Sequence, residues 1–263
     1  LTSRDLAEVY DRISDLQFEG GKRLVERLGL DESSRVLDVG CGTGRLAHWV
    51  AERVGPTGVV AGIDPLEERI AIARSRGDGV RFEVGQAEDL RAFDDASFDI
   101  VCMSSVLHWV DDKAKALAEV RRVLRPGGRV GVTTIPHELA KAGTLGLVLG
   151  PLLARAPYAG RVDFSALTFG GRGCTSTELV SLVVESRLDL VELHVMQRSR
   201  AHASGEAFVD FLEASAAGNF FRPVPDELRT SLRADLIAAL DAQKGPDGVA
   251  VRGWGVLLIA TRA

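Results

Sequence analysis

Cysteine is scarce in this chain of 263 residues, and so are tyrosine and methionine. Cys41, Cys102 and Cys174 form neither a paired framework nor a C-x-x-C spacing, which argues against a disulfide scaffold and a cysteine zinc site and suits a reducing cytosol. No apolar run is long enough to cross a bilayer: the longest, roughly Ala142 to Ala154, contains Gly150-Pro151. The N-terminus lacks a basic-then-apolar signal pattern, although Leu1 is not a natural start and leaves room for residues upstream. Clustered positive charge is missing as well. The net charge is −5 with acids and bases interspersed, which disfavours a broad nucleic-acid footprint and favours a small substrate. Only 5 of the 32 basic residues are lysine, a bias that fits a GC-rich bacterial genome. There is no internal repeat and no low-complexity segment.

What is present suffices for a sizeable core. An apolar fraction of 46% and a charged fraction of 26% are ordinary globular values. Amphipathic helices are expected at Arg4 to Ile13 and Glu19 to Leu28, with a stop at Gly29. A buried strand Val36–Val39 then feeds the turn Gly40-Cys41-Gly42-Thr43-Gly44, and Arg45 to Arg53 has helix-forming composition. Val59 to Asp64 reads as a second buried strand and Pro65 as the opening of a helix. Further strands are expected at Val80 to Val84, Phe98 to Met103 and Arg129 to Thr134. A helix at Asp112 to Leu124 precedes the stop Arg125-Pro126-Gly127-Gly128. Such alternation implies parallel strands with right-handed helical crossovers. From Pro136 to Cys174 it lapses. It returns with a helix Ser176 to Ser186 and a strand Asp189 to Met196. Helices at Glu206 to Ala217 and Pro225 to Leu240 follow, and a last buried strand at Trp254 to Thr261.

The glycine turn has the spacing G-x-G-x-G. A dinucleotide fingerprint needs G-x-G-x-x-G, and a phosphate-binding P-loop needs a lysine after the glycines, so both are disfavoured. Together with Ile63-Asp64, Gly85-Gln86-Ala87-Glu88, Phe98-Asp99-Ile100 and Leu124-Arg125-Pro126-Gly127-Gly128, the turn resembles the motif series of class I S-adenosylmethionine-dependent methyltransferases. The likeness runs in order from Arg35 to Thr134, and is nearest to the branch that methylates quinones, sterols and other natural products. It implies an α/β, Rossmann-like, doubly wound and mostly parallel seven-stranded sheet, with leading helices at 1–34 and a core at 35–135 and 176–263. Insertions at 136–175 and 203–245 would form a helical cap over the substrate site.

By the same resemblance, the cofactor is S-adenosyl-L-methionine and the product S-adenosyl-L-homocysteine. Asp38 would attract its ammonium group, with Gly40, Cys41, Gly42 and Gly44 giving close backbone approach. Asp64 would offer two oxygens to the ribose hydroxyls, ahead of Pro65. Gln86, Ala87 and Glu88 would read the adenine, although the commonest family pattern has Asp where Gln86 stands. Leu66 and Val106 would flank the ring, and Ser104 closes the strand edge beside them. His108 could serve as general base or simply pack beside the cofactor. Tyr10 could close over the cofactor or belong to a core stripe. Tyr158, Phe164, Phe169, Phe211, Phe220 and Phe221 are candidates for lining an apolar acceptor pocket, with core packing as the competing reading. No metal is expected. The reaction implied is in-line methyl transfer to carbon or oxygen of a small, partly apolar acceptor, as in natural-product metabolism. The setting expected is cytoplasmic, with no nucleic acid or membrane span, and self-association is compatible with the chain. The competing readings are a cofactor-binding protein of the same fold with another reaction or a regulatory role, and a nicotinamide oxidoreductase.

Overall fold

The computed structural model describes residues 2–167 and 172–263. The chain divides into two compact units, and each has its own core. One is built on the sheet and comprises Ser14–Thr134, Ser176–His194 and Val256–Ala263. The other is mainly helical and comprises Leu1–Ile13, Ile135–Thr175 and Val195–Gly255. The leading helices are therefore not one element: α1 (Ser3–Ile13) groups with the helical unit and α2 (Asp15–Arg27) with the sheet.

After α2 come β1 (Arg35–Val39), α3 (Arg45–Ala51), β2 (Val59–Asp64), α4 (Glu67–Ser75), β3 (Val80–Val84), β4 (Phe98–Ser104), α5 (Lys113–Val123) and β5 (Leu124–Thr134). The sheet order is β3-β2-β1-β4-β5-β7-β6, where β6 is Asp189–His202 and β7 is Val249–Thr261. Strands β1 to β5 pair in parallel, and β7 runs antiparallel to β5. This is a Rossmann-like, doubly wound architecture with one antiparallel strand at β7. Because β1 is flanked by β2 and β4, its residues after Arg35 are buried, as a continuous apolar run in a parallel sheet requires. The chain runs outward from β1 to β2 and β3, then returns to lay β4 on the other side of β1. That reversal creates a topological switch point, where a crevice opens beyond the carboxyl ends of the strands.

Two strand expectations need adjustment. Pairing of β5 with β4 already begins at Phe98 opposite Leu124, skips the Pro126-Gly127-Gly128 excursion, and resumes at Ile100 opposite Arg129. The excursion is a bulge in a strand that starts at Leu124, and Gly127 takes a φ of +77° within it. Strands β6 and β7 also run longer than expected, because their outer ends belong to the helical unit.

In the helical unit, α6 (Thr144–Leu153) occupies the stretch that shows no period, since its composition is apolar nearly all round. The short α7 (Phe164–Leu167) follows it; α8 (Ser176–Glu185) returns to the sheet unit. Helices α9 (Gly205–Ser215) and α10 (Asp226–Asp241) complete the helical unit. Leu228, Leu232, Leu236 and Leu240 of α10 are all buried at fourfold spacing, as an amphipathic stripe demands. Among the described residues, no helix is long and apolar enough to cross a membrane.

Candidate functional site: the carboxyl edge of the sheet

Backbone turns, and one side chain packed on them, assemble the site at the ends of β1, β2 and β4. Gly40, Gly42 and Gly44 take φ values of +72°, +56° and +76°, the left-handed region that glycine enters without strain. The amides of Gly40 and Cys41 both donate to the carbonyl of Ile63, at 2.7 and 3.0 Å, which ties the turn to the end of β2. Val106 covers the turn, so closely that a Cβ on Gly40 would stand 2.3 Å from Val106 Cγ2. Ser105, just past β4, holds a φ of +63° although it is not glycine. Its amide donates to the Thr133 carbonyl and hydroxyl, at 2.9 and 3.0 Å, so β5 holds this turn.

Asp64 is the link between the two motifs. It is buried, its Oδ2 accepts from Gly42 N and its Oδ1 from Leu66 N, both at 3.0 Å. One oxygen thus orients the glycine turn and the other the entry to α4. Each retains a second lone pair for a ligand hydroxyl. Burial raises its pKa, and the Arg69 charge and the two amides act against that rise.

Asp38 lies one strand over, opposite Gly62 of β2 and Cys102 of β4. It is buried, and its one hydrogen bond from a described residue is a weak thiol contact, Cys102 Sγ to Oδ1 at 3.5 Å. Burial pushes its pKa up to about 7, assisted by the neighbouring Asp64 charge and opposed by the thiol. A buried carboxylate with so little support calls for a cation, and an ammonium group suits it. The thiols of Cys41 and Cys102 are themselves pushed far up by burial and stay protonated.

In the loop after β3, Gln86 is exposed, Ala87 buried and Glu88 half-buried. Oε1 of Glu88 accepts from Asp111 N and Asp112 N, at 3.1 and 3.3 Å, so part of its capacity goes to fixing the entry of α5. The loop is further held from α5. Glu119 accepts from Leu90 N at 2.9 Å, and Arg122 donates to the Leu90 and Phe93 carbonyls at 2.9 and 3.0 Å. Pro65 is exposed and Leu66 half-buried; Ser104 is half-buried, with its hydroxyl 3.4 Å from that of Thr133.

His108 is buried, and its Nδ1 lies 3.0 Å from Thr134 Oγ1. Burial drives its pKa down to about 3, with a smaller contribution from the Lys113 charge. Such an imidazole stays neutral at pH 7. Tyr10 sits half-buried on α1, in the helical unit rather than the sheet unit. The aromatic residues that the sequence offers as candidates for an acceptor pocket divide. Tyr158, Phe220 and Phe221 are core members of the helical unit, and the Tyr158 hydroxyl donates to Asp235 at 2.7 Å. Phe164 and Phe211 pack against that core half-buried, and Phe169 lies outside the described residues. Among the described residues, no cluster of His, Cys, Asp and Glu is placed to hold a metal.

Sequence reasoning missed Cys102, Thr133, Thr134, Glu119 and Arg122. The signal available was positional. Cys102 and the Thr133-Thr134 pair fall at carboxyl ends of strands, where neighbours in an α/β sheet converge.

Residues 37–132 match the methyltransferase domain family. The chain is 37% identical over 140 residues to the chloroplastic 2-phytyl-1,4-beta-naphthoquinone methyltransferase of Arabidopsis thaliana, covering 48% of this chain and 53% of that one. It is 36% identical over 135 residues to demethylmenaquinone methyltransferase of Staphylococcus aureus, covering 48% and 56%. The chain thus spans about half the length of the curated relatives it matches. The solved YcgJ protein of Bacillus subtilis shares the fold, with a TM-score of 0.64 at 19% identity over 93% of this chain and 98% of that one. Order of motifs and sheet topology agree with the family match: residues 37–132 are a methyltransferase domain, set in a Rossmann-like sheet.

Proposed function

We propose that this protein transfers a methyl group from S-adenosylmethionine to a carbon or oxygen atom of a small, partly apolar acceptor, in a cytosolic and natural-product setting. The observation that carries the reading is the buried Asp64, hydrogen-bonded to the glycine turn at Gly42 and to Leu66 at the entry of α4. The identity to two quinone methyltransferases over half the chain supports a small acceptor.

The cofactor supplies a methyl group activated by its sulfonium. What the chain itself does is bind and orient. Asp38 neutralises the ammonium, Asp64 accepts from the ribose hydroxyls, and Gln86 to Glu88 read the adenine while Leu66 and Val106 cover its faces. His108, neutral and hydrogen-bonded to Thr134, fixes the wall that follows β4. Alignment and exclusion of water then contribute most of the acceleration, which asks for no dedicated base if the acceptor is intrinsically nucleophilic. Acceptor choice falls to the insertions at 136–175 and 203–245.

Titration calorimetry with S-adenosylmethionine and with NADH tests the cofactor, and transfer of labelled methyl across a panel of phenols, quinols and prenyl compounds tests the reaction. Binding of NADH without S-adenosylmethionine would sink the reading. Cofactor binding with no methylated product from the panel would move the protein to the non-methylating alternative of the same fold.

A further inference from the structure

Strand β6 carries an unexplained charge in the helical unit. Arg198, Arg200 and His202 alternate along it and are half-buried, while Gln197, Ser199 and Ala201 between them are exposed. The three basic side chains therefore share one inward face. Among the described residues, Nη1 of Arg200 is buried without a hydrogen-bond partner, and no acid pairs with this side chain. A guanidinium is a charged donor, so leaving even one of its nitrogens buried without an acceptor is costly, and native proteins do so rarely and for a reason.

The neighbouring strand leaves room beside it. A Cβ on Gly255 of β7 would stand 2.6 Å from Arg198 Nε, so the bare glycine lets that guanidinium lie flat on the strand. Gly253, on the same face two residues earlier, has no heavy atom within 4 Å of where its Cβ would be. Glycine inside a strand often marks close approach by a ligand. An apolar ring adjoins: the His202 ring lies 5.7 Å from the centroid of the half-buried Phe211, and 4.9 Å from that of Phe208 in the core beneath. The Arg200 charge helps to keep His202 neutral, its pKa lowered to about 4 chiefly by burial.

We propose that Arg200, flanked by Arg198 and the open face at Gly253, binds the oxyanion of an acidic acceptor, a carboxylate or phosphate attached to an apolar body that rests on the half-buried Phe211. The planar fork of an arginine matches either oxyanion bidentately, which explains why arginine rather than lysine stands there. The identification of the ligand as the acceptor rests on the methyl-transfer reading; the site itself does not.

The test uses the full chain, pyrophosphate and 4-hydroxybenzoate as probes, and the variants Arg200→Met and Arg200→Lys. Calorimetric titration is run with and without S-adenosylhomocysteine. One probe is expected to bind one-to-one, at least tenfold more weakly to Arg200→Met, and with intermediate loss in Arg200→Lys. The probe that binds tells phosphate from carboxylate. Because the buried Nη1 makes no hydrogen bond among the described residues that the substitution could remove, the unliganded melting temperature of Arg200→Met should not fall below that of wild type, as it would for a structural arginine. Equal probe affinity in wild type and Arg200→Met, or no binding of either probe, overturns the proposal. Probe binding intact in a protein that fails to bind S-adenosylhomocysteine supports the oxyanion site and sinks only the methyl-transfer reading.

Discussion

Asp38 and Asp64 are two buried carboxylates on adjacent strands, and their environments set them apart. Among the described residues, Asp64 is held by two amides, whereas Asp38 has only a thiol. Because the folded-state pKa of Asp38 is raised from 3.8 to about 7, the folded protein binds its proton more tightly than the unfolded chain does. The associated stability is fully present below pH 3.8 and is lost as pH rises through 7, by up to about 4 kcal/mol in the unliganded protein. The Asp38→Asn variant should flatten this slope in denaturant titrations between pH 5 and 8. A bound ammonium reverses the preference, so S-adenosylhomocysteine binding should release a proton below pH 7 and weaken by nearly tenfold per unit as pH falls toward 5. Calorimetry in buffers of differing ionisation enthalpy reads that proton, and a pH-independent affinity would remove Asp38 from the ammonium site. For Asp64→Ala, affinity should drop at least tenfold, with a lower melting temperature from the released Gly42 and Leu66 amides. Unchanged affinity would contradict the ribose assignment.

At the scale of elements, the glycine turn is intolerant for two separable reasons. Gly40→Ala forces a left-handed φ on alanine and drives its Cβ into Val106, at an unrelaxed 2.3 Å. Together these should cost about 2–4 kcal/mol, measured by urea unfolding. Adding Val106→Ala should restore only the steric part, so a double variant as stable as Val106→Ala alone would show that the backbone conformation costs nothing. This element was legible in the sequence because its chemistry is local: glycine spacing and a strand ending in a carboxylate need no long-range information. Strands β1 to β4 were legible for a similar reason, being apolar runs bounded by turns. Helix α6 was not, since an apolar face on every side leaves no period to read. The contacts of Asp38 with Cys102 and of His108 with Thr134 were hidden too, because they depend on which strands become neighbours. Nor does spacing distinguish core aromatics from pocket aromatics. Tyr158 satisfies its hydroxyl through Asp235 on a helix 77 positions away.

For the whole molecule, the division into two units gives ligand binding a map. The cofactor contacts proposed here all fall within Ser14–Thr134, whereas the orphaned Arg200 and its neighbours fall within Val195–Gly255. Hydrogen exchange can read both at once, since any ligand that binds only the folded state lowers the population of open states. At a hundred times its dissociation constant the stabilisation is about 2.7 kcal/mol, enough to slow globally limited exchange by roughly a hundredfold. Segments limited by local opening respond only where they touch the ligand. With S-adenosylhomocysteine, the largest gains in protection are therefore expected at residues 38–44, 64–66, 85–88 and 104–108. With the oxyanion probe alone, they should instead concentrate at 197–202 and 251–255. If S-adenosylhomocysteine protected 197–202 and left 38–44 unchanged, the glycine turn would be a structural connection and the cofactor assignment would fail, however well the sheet topology matches the family.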